Sequence, residues 1–425
     1  MNENFLQYLW KYRLFNNHDL KTTQGESLQI IQVGEHNTNA GPDFFNARIQ
    51  CGATILAGNI EVHKLSSEWL RHGHQRDKSY QNIILHVVYE DDERLQSASG
   101  EFFLTLELKH RISRVLVRKY DELLLPQPFI PCASHWPKVD GFIKDALVQR
   151  LLIERMEMKC EAIEALLLET CNNWEEAFYV TLARNFGFRI NALPFEMLVR
   201  QLPLSVFAKN KANIFQTEAI LFGVSGFLNN SKSNEKYYLD LCREYAYQKQ
   251  KHKFQEIDVT LWKFLRLRPA NFPQIRIAQF ANLIYRSVHL FSKIIEDTKA
   301  QNLKSLFNCS ATLFWDTHYT FNDESTKRKK NIGEDAVNNI LINTVAPFLF
   351  LYGNRKFQPQ HLDSALELLD SLPPENNMTI RKWEGLSTTI KNASYSQGLL
   401  QLKRVYCDEK KCLHCSVGLK ILKEE

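Results

Sequence analysis

Gly41-Pro42-Asp43-Phe44, Gly58-Asn59-Ile60-Glu61-Val62-His63-Lys64, His72-Gly73-His74 and Ile83-Ile84-Leu85-His86 all fall between residues 41 and 86. β-branched and aromatic runs alternate there with turn residues, the pattern of short strands. Together with flanking runs, the pattern predicts strands near 28–33, 44–49, 60–63, 83–88 and 102–106. Ser66-Ser67-Glu68-Trp69-Leu70 opens as a helix does, with a serine cap and an acid in the first turn. The local order is strand, strand, strand, helix, strand. Side chains alternate across a strand, so Glu61 and His63 share one face while Ile60, Val62 and Lys64 share the other. With the apolar pair turned to the core, Asp43, Glu61 and His63 line a cleft and His86 lies under it. His72, His74 and Asp77 follow in a segment that reads as helix or loop.

Outward from this stretch, the 425 residues suffice for two domains. Pro126-Gln127-Pro128-Phe129-Ile130-Pro131 marks the predicted joint. Beyond it, apolar residues recur at three- and four-residue steps at 146–169 and near 175–185, 213–228, 275–296, 334–352 and 361–372. The expected fold class is therefore α+β: a mixed α/β sheet domain over 1–128, then a larger, mostly helical domain over 129–425. A net charge of +5 permits a nucleic-acid partner without requiring one. The first residues lack a secretory pattern, and no apolar run approaches about 18 residues, so the expectation is a cytoplasmic protein without membrane spans. Walker, dinucleotide-binding and Gly-x-Ser-x-Gly patterns are missing, which argues against kinase, oxidoreductase and serine-hydrolase chemistry.

Asp43 and Glu61 are the carboxylates a hard divalent cation needs, and Mg²⁺ or Mn²⁺ is the expected cofactor. Such a cation offsets the charge gathering on a phosphodiester under attack and acidifies water. His63 is the candidate to position or deprotonate that water, with His72, His74 and His86 supporting it. Imidazoles also suit Zn²⁺, so His63, His72, His74 and Asp77 form an alternative zinc set. Hydrogen bonding among these groups inside the fold is the plainer reading.

The strand order, with Pro42-Asp43 and then Glu61-x-His63, resembles the core of the PD-(D/E)XK nuclease superfamily. The resemblance implies a restriction-endonuclease-like sheet and a metal-dependent attack on DNA or RNA. It also implies a further acid or glutamine from the first helix or strand, for which Gln32 and Glu35 are candidates. The superfamily's lysine falls at His63, and Lys64 is one residue late with the wrong parity. That departure keeps open a non-catalytic nucleic-acid- or partner-binding protein with a degenerate core. Over nearly its whole length the chain is similar to an uncharacterised bacterial family with a domain of unknown function. The likeness is carried by the boxes at 41–44, 58–63, 66–74, 85–88, 268–278 and 412–415.

Two later motifs bear on chemistry. Arg268 and Arg276, in an arginine–proline run, can grip phosphates or tie loops together. Cys407, Cys412 and Cys415 give three thiols in Cys-x₄-Cys-x₂-Cys spacing, with Cys132 or His414 as a fourth ligand for Zn²⁺ or an iron–sulfur cluster. Some superfamily nucleases staple their core in that way; three reduced cysteines on a buried helix are the alternative. Lys327-Arg328-Lys329-Lys330 reads as a solvated loop.

Overall fold

The structure, a computed structural model, describes residues 2–37, 40–96, 102–209, 213–230, 233–287 and 289–423. It divides into two compact units, Met1–Leu147 with Lys403–Glu425, and Val148–Leu402.

The first unit is built on one mixed sheet. Its strands are β1 (Leu28–Gln32), β2 (Glu35–His36), β3 (Phe44–Cys51), β4 (Thr54–Leu65), β5 (Ile83–Glu90) and β6 (Thr105–Glu107), in the spatial order β1-β3-β4-β5-β6 with β2 beside β3. The β1–β3 and β3–β4 pairs are antiparallel, whereas β4–β5 and β5–β6 are parallel. Cys51 pairs with Thr54, so a two-residue turn led by Gly52 at φ 55° joins β3 to β4. The parallel β4–β5 pair needs a crossover, which runs through α2 (Glu68–His72) and two short 3₁₀ turns.

α1 (Glu3–Tyr12) precedes the sheet. Its N-cap, Asn2, accepts the Phe5 N–H, and Phe5, Leu6, Tyr8, Leu9 and Trp10 form its buried face. Trp10 Nε1 donates to the Val33 carbonyl at 3.0 Å, fixing the helix against the chain after β1. α3 (Arg114–Leu124) stacks Tyr120 on Phe5 with ring centres 3.9 Å apart.

Two irregularities shape the sheet around the motif. Phe44 pairs with Ile60 and Ala47 with Gly58, so β3 carries an extra residue, and Asn46 there has φ 56°. Asn59 pairs with Ile83 and Ile60 with Leu85, so β5 bulges at Ile84. Gly58 lies against that second bulge, where a Cβ would fall 2.5 Å from Ile84 Cγ2 and 2.7 Å from the Asn82 carbonyl.

The unit boundaries differ from the sequence expectation of 1–128 and 129–425. The proline-rich joint turns within the first unit, because Ile130, Trp136 and Val139 beyond it are buried there. The tail belongs to the same unit. Lys119 Nζ on α3 bonds the Ile421 carbonyl at 3.4 Å, and Lys410 Nζ bonds the Leu124 carbonyl at 2.6 Å. The division falls inside the 29-residue helix α4 (Gly141–Glu169).

The second unit is helical, around a core that includes Phe178, Phe186, Phe222, Phe280, Trp315 and Phe348. The 275–296 pattern resolves into Pro273–Arg286 and Leu290–Glu296. Among the described residues one helix, Glu334–Arg355, is long and apolar enough to cross a membrane, but 83% of its apolar window is buried inside the fold, as in a core helix.

Gly58→Ala should destabilise the protein by about 1–3 kcal/mol, the usual penalty for overpacking. Urea unfolding followed by tryptophan fluorescence reads this. An unchanged midpoint would mean that β5 does not press on Gly58 as described.

Candidate metal centre

The site assembles from α1, the start of β3, the end of β4 and the crossover. Asp43 enters β3 just ahead of the bulge and is clamped at both ends. Its Oδ2 accepts the Val62 N–H at 2.9 Å, and its Oδ1 accepts Gln7 Nε2 at 2.8 Å. Its own N–H donates to Glu61 Oε2 at 3.1 Å. Glu61 and His63 emerge on one face of β4, as the alternation requires, with His63 Nε2 3.6 Å from Glu61 Oε1. His63 Nε2 also lies 3.7 Å from Glu3 Oε1, which reaches in from α1. His86 pairs laterally with Glu61, and its Nε2 lies 2.8 Å from His63 Nδ1.

The crossover closes the ring. α2 ends at Gly73 with φ 77°, a left-handed cap that lets His72 and His74 flank the turn. One side-chain nitrogen from each of His63, His72 and His74 lies within 4.8 Å of the others. His74 Nε2 is 3.3 Å from Glu61 Oε1, and its ring stacks on Tyr80 at 4.0 Å.

Three carboxylates therefore crowd a partly buried hollow beside imidazoles. Burial and the neighbouring Asp43 push the Glu61 carboxyl up to about 9. Burial, with the Glu3 charge adding to it, pushes Asp43 up to about 7, against the lowering effect of its hydrogen bonds from Val62 and Gln7. Burial also raises Glu3. In the other direction, burial and the surrounding imidazoles hold His63 down to about 2 and His86 to about 3, so both rings are neutral at physiological pH. His63 Nε2 and His74 Nε2 are buried and make no hydrogen bond. Repelling acids beside unprotonated, unpartnered imidazole nitrogens suit a divalent cation, and the mixed nitrogen–oxygen donor set suits Mn²⁺ or Zn²⁺ better than Mg²⁺.

The other expected residues lie elsewhere. Gln32 and Glu35 are exposed on β1 and β2. Glu3 and Gln7 on α1, which the sequence reading missed, reach His63 and Asp43 instead. Their four-residue spacing beside an apolar stripe was the available signal. Lys64 is exposed, and its backbone N–H bonds Glu68. Asp77 is exposed and caps the turn at Ser79. A cavity of about 340 Å³ opens against Asp43 and is lined in part by Gln7, Lys11, His36 and His414.

His414 thus faces this cavity, while the tail cysteines gather round Cys132. Cys132 interacts electrostatically with Cys412 and Cys415, and Cys407 with all three. None of the four forms a disulfide, and Cys132, Cys412 and Cys415 are buried. Burial pushes Cys132 up to about 12 and Cys412 up to about 11, and raises Cys407 further. No three of the sulfurs approach within 4.8 Å of one another. In the second unit, Arg268 is exposed and Arg276 buried.

A family model described as "Protein of unknown function (DUF2851)" matches residues 3–378. No curated protein and no solved structure matches the chain.

The raised acids predict a pH dependence. Their folded-state values exceed the ordinary carboxylate range near 4, so their contribution to stability is full below that range and is lost as pH rises through about 7 for Asp43 and about 9 for Glu61. The depressed histidines act below pH 6.5 and drop out above it. Between pH 7 and 9, metal-free Glu61→Gln should therefore lose less stability than the wild type, measured by urea unfolding. Parallel slopes would mean that Glu61 is already ionised in the folded protein.

Proposed function

The chain belongs to that family, whose description assigns no activity, and we propose from the site itself that it is a divalent-metal-dependent nucleic-acid phosphodiesterase. The observation that carries this is the meeting of Glu3, Asp43, Glu61 and His63 from three elements in one hollow. The order α1, β1, β3, β4, α2, β5, with Asp43 entering one strand and Glu61-x-His63 on the next, supports a PD-(D/E)XK-type core. Lys11, His36 and His414 beside Asp43 supply cationic or hydrogen-bonding groups for a phosphate chain.

Asp43 and Glu61 would hold the cation, with Glu3 and His74 at its margin. When bound, it would neutralise phosphoryl charge and acidify the attacking water. The residues do the rest. Gln7 and the Val62 N–H orient the Asp43 carboxylate. With His63 Nδ1–H donating to His86 Nε2, the His63 Nε2 lone pair is free to take a proton from water. The Glu3 and Glu61 oxygens beside it would stabilise the imidazolium that forms. His86 sets that tautomer and is a positioning residue.

Asp43→Asn and Glu61→Gln should each lower cleavage of labelled DNA or RNA in Mn²⁺ by at least about a hundredfold, and His86→Phe by about 10–100-fold. Wild-type protein that neither cleaves nor binds Mn²⁺ in calorimetry would end the proposal. His63 in the lysine position favours a second reading, a non-catalytic binding protein on the same core. That reading predicts feeble Mn²⁺ binding and retention of nucleic acid without cleavage.

The four cysteines support a structural metal group in the same unit. Zinc–sulfur bonds of about 2.3 Å place tetrahedral sulfurs about 3.8 Å apart. The wider spacing here suits a multi-iron cluster better. Protein purified without oxygen should be brown, with roughly equal iron and acid-labile sulfide, and Cys132→Ser should lose both. Colourless protein with one zinc per chain would replace the cluster by zinc, and protein with neither metal would leave four reduced thiols, three of them buried.

A further inference from the structure

The second unit contains a cavity of about 590 Å³ whose lining includes Arg268, Arg276, Arg328, Asn271, Asn338 and Phe188. Two elements distant in sequence supply the arginines, the arginine–proline run and the basic loop at 327–330.

Arg276 lies in the first turn of helix Pro273–Arg286 and is only 5% exposed. Its Nη2 donates to Asn271 Oδ1 at 2.6 Å and its Nη1 to Gln279 Oε1 at 3.1 Å. The guanidinium carbon sits 4.7 Å over the Phe188 ring. These contacts hold the fork in place but leave its charge unanswered, because both oxygens belong to neutral amides. Among the described residues no carboxylate oxygen lies within 4.0 Å of it. Its Nε is buried and bonds to nothing, and Asn338 Oδ1 in the same lining is also buried without a partner. A sequestered, unneutralised guanidinium is expensive for a fold to keep without an anion to meet it.

The lining's two acids do not supply that anion. Asp335 is exposed. Glu375 accepts bonds from Asn343 at 3.1 Å and Gln397 at 2.7 Å, and shares its surroundings with the half-buried Lys159. Three arginines against two such acids leave the cavity positive. Its volume lies in the range of small-molecule sites and far exceeds what one inorganic ion fills. Phe188, Pro373 and Pro374 offer apolar surface, and Asn271 and Asn338 offer amides, to an organic portion.

We propose that this cavity binds a phosphate monoester of about mononucleotide size, with the Arg276 guanidinium at its buried wall and Arg268 and Arg328 adding charge at the exposed rim. The site is independent of any activity in the first unit. Arginine suits it because the planar fork meets phosphate oxygens in pairs.

The test is calorimetry on the full chain at low salt with AMP, adenosine and inorganic phosphate. AMP should bind at least about tenfold more tightly than adenosine, the value of one charge-assisted contact. Arg268→Gln with Arg328→Gln, both at exposed positions, should weaken AMP by at least about tenfold while leaving the urea midpoint unchanged. Arg276→Lys should weaken it similarly, since it keeps the charge and loses the fork. Inorganic phosphate matching AMP would support the anion site and identify free phosphate as its source. Wild-type protein that binds neither AMP nor phosphate at millimolar concentration, or a double variant that binds AMP undiminished, overturns the proposal.

Discussion

The first unit depends on an exchange of hydrogen bonds between Asp43 and β4. The Asp43 carboxylate takes the Val62 N–H, and the Glu61 carboxylate takes the Asp43 N–H. Two carboxylates that repel each other are thus tied to each other's backbone. The extra residue at Asn46 sets where β3 meets β4 and so brings the start of one strand beside the end of the other. With that register, Glu61 and His63 face α1, His86 comes under His63, and the crossover can return His72 and His74. A one-residue slip would turn Glu61 and His63 into the core and Ile60 and Val62 outward.

The electrostatics follow from the same geometry. The acids are raised because burial and mutual repulsion favour their protonated forms, and the histidines are lowered because burial and like neighbours favour the neutral ring. The two effects move in opposite directions in adjacent groups, an arrangement that structural ion pairing does not produce. Had imidazolium and carboxylate simply paired, each would have stabilised the other's charge.

The central strands and their facing residues were legible because a period of two is a strong local signal, and Asp43, Glu61, His63 and His86 followed from it. Glu3 and Gln7 were not legible, since a polar pair on a short helix reads equally well as a solvated face, and only the packing of α1 on the sheet separates the two. Gln32 and Glu35 were chosen because the resemblance asks for an acid or glutamine from the first helix or strand, and a motif that fixes no position says little about nearness in space. The unit boundary was missed for the same reason. Prolines mark a turn, and whether the chain leaves the core after it is decided by contacts such as Lys119 to Ile421, roughly 300 residues apart.

The return of the tail gives the chain's two ends a common task. α1 carries Glu3 and Gln7 to Asp43, and the tail brings His414 to the cavity beside that residue, two positions from Cys412 and one from Cys415. His414 and Lys11 both hold His36 below its usual value after burial has done so, which places three nitrogen-bearing side chains around one opening. Whatever fastens the four cysteines therefore also fastens a wall of the cavity against Asp43. Loosening the tail would release His414 together with the tail's own contact on α1, where Lys423 lies over the Tyr12 ring. The cysteine cluster and the acid–histidine cluster, though built from separate motifs, meet in the positioning of that wall.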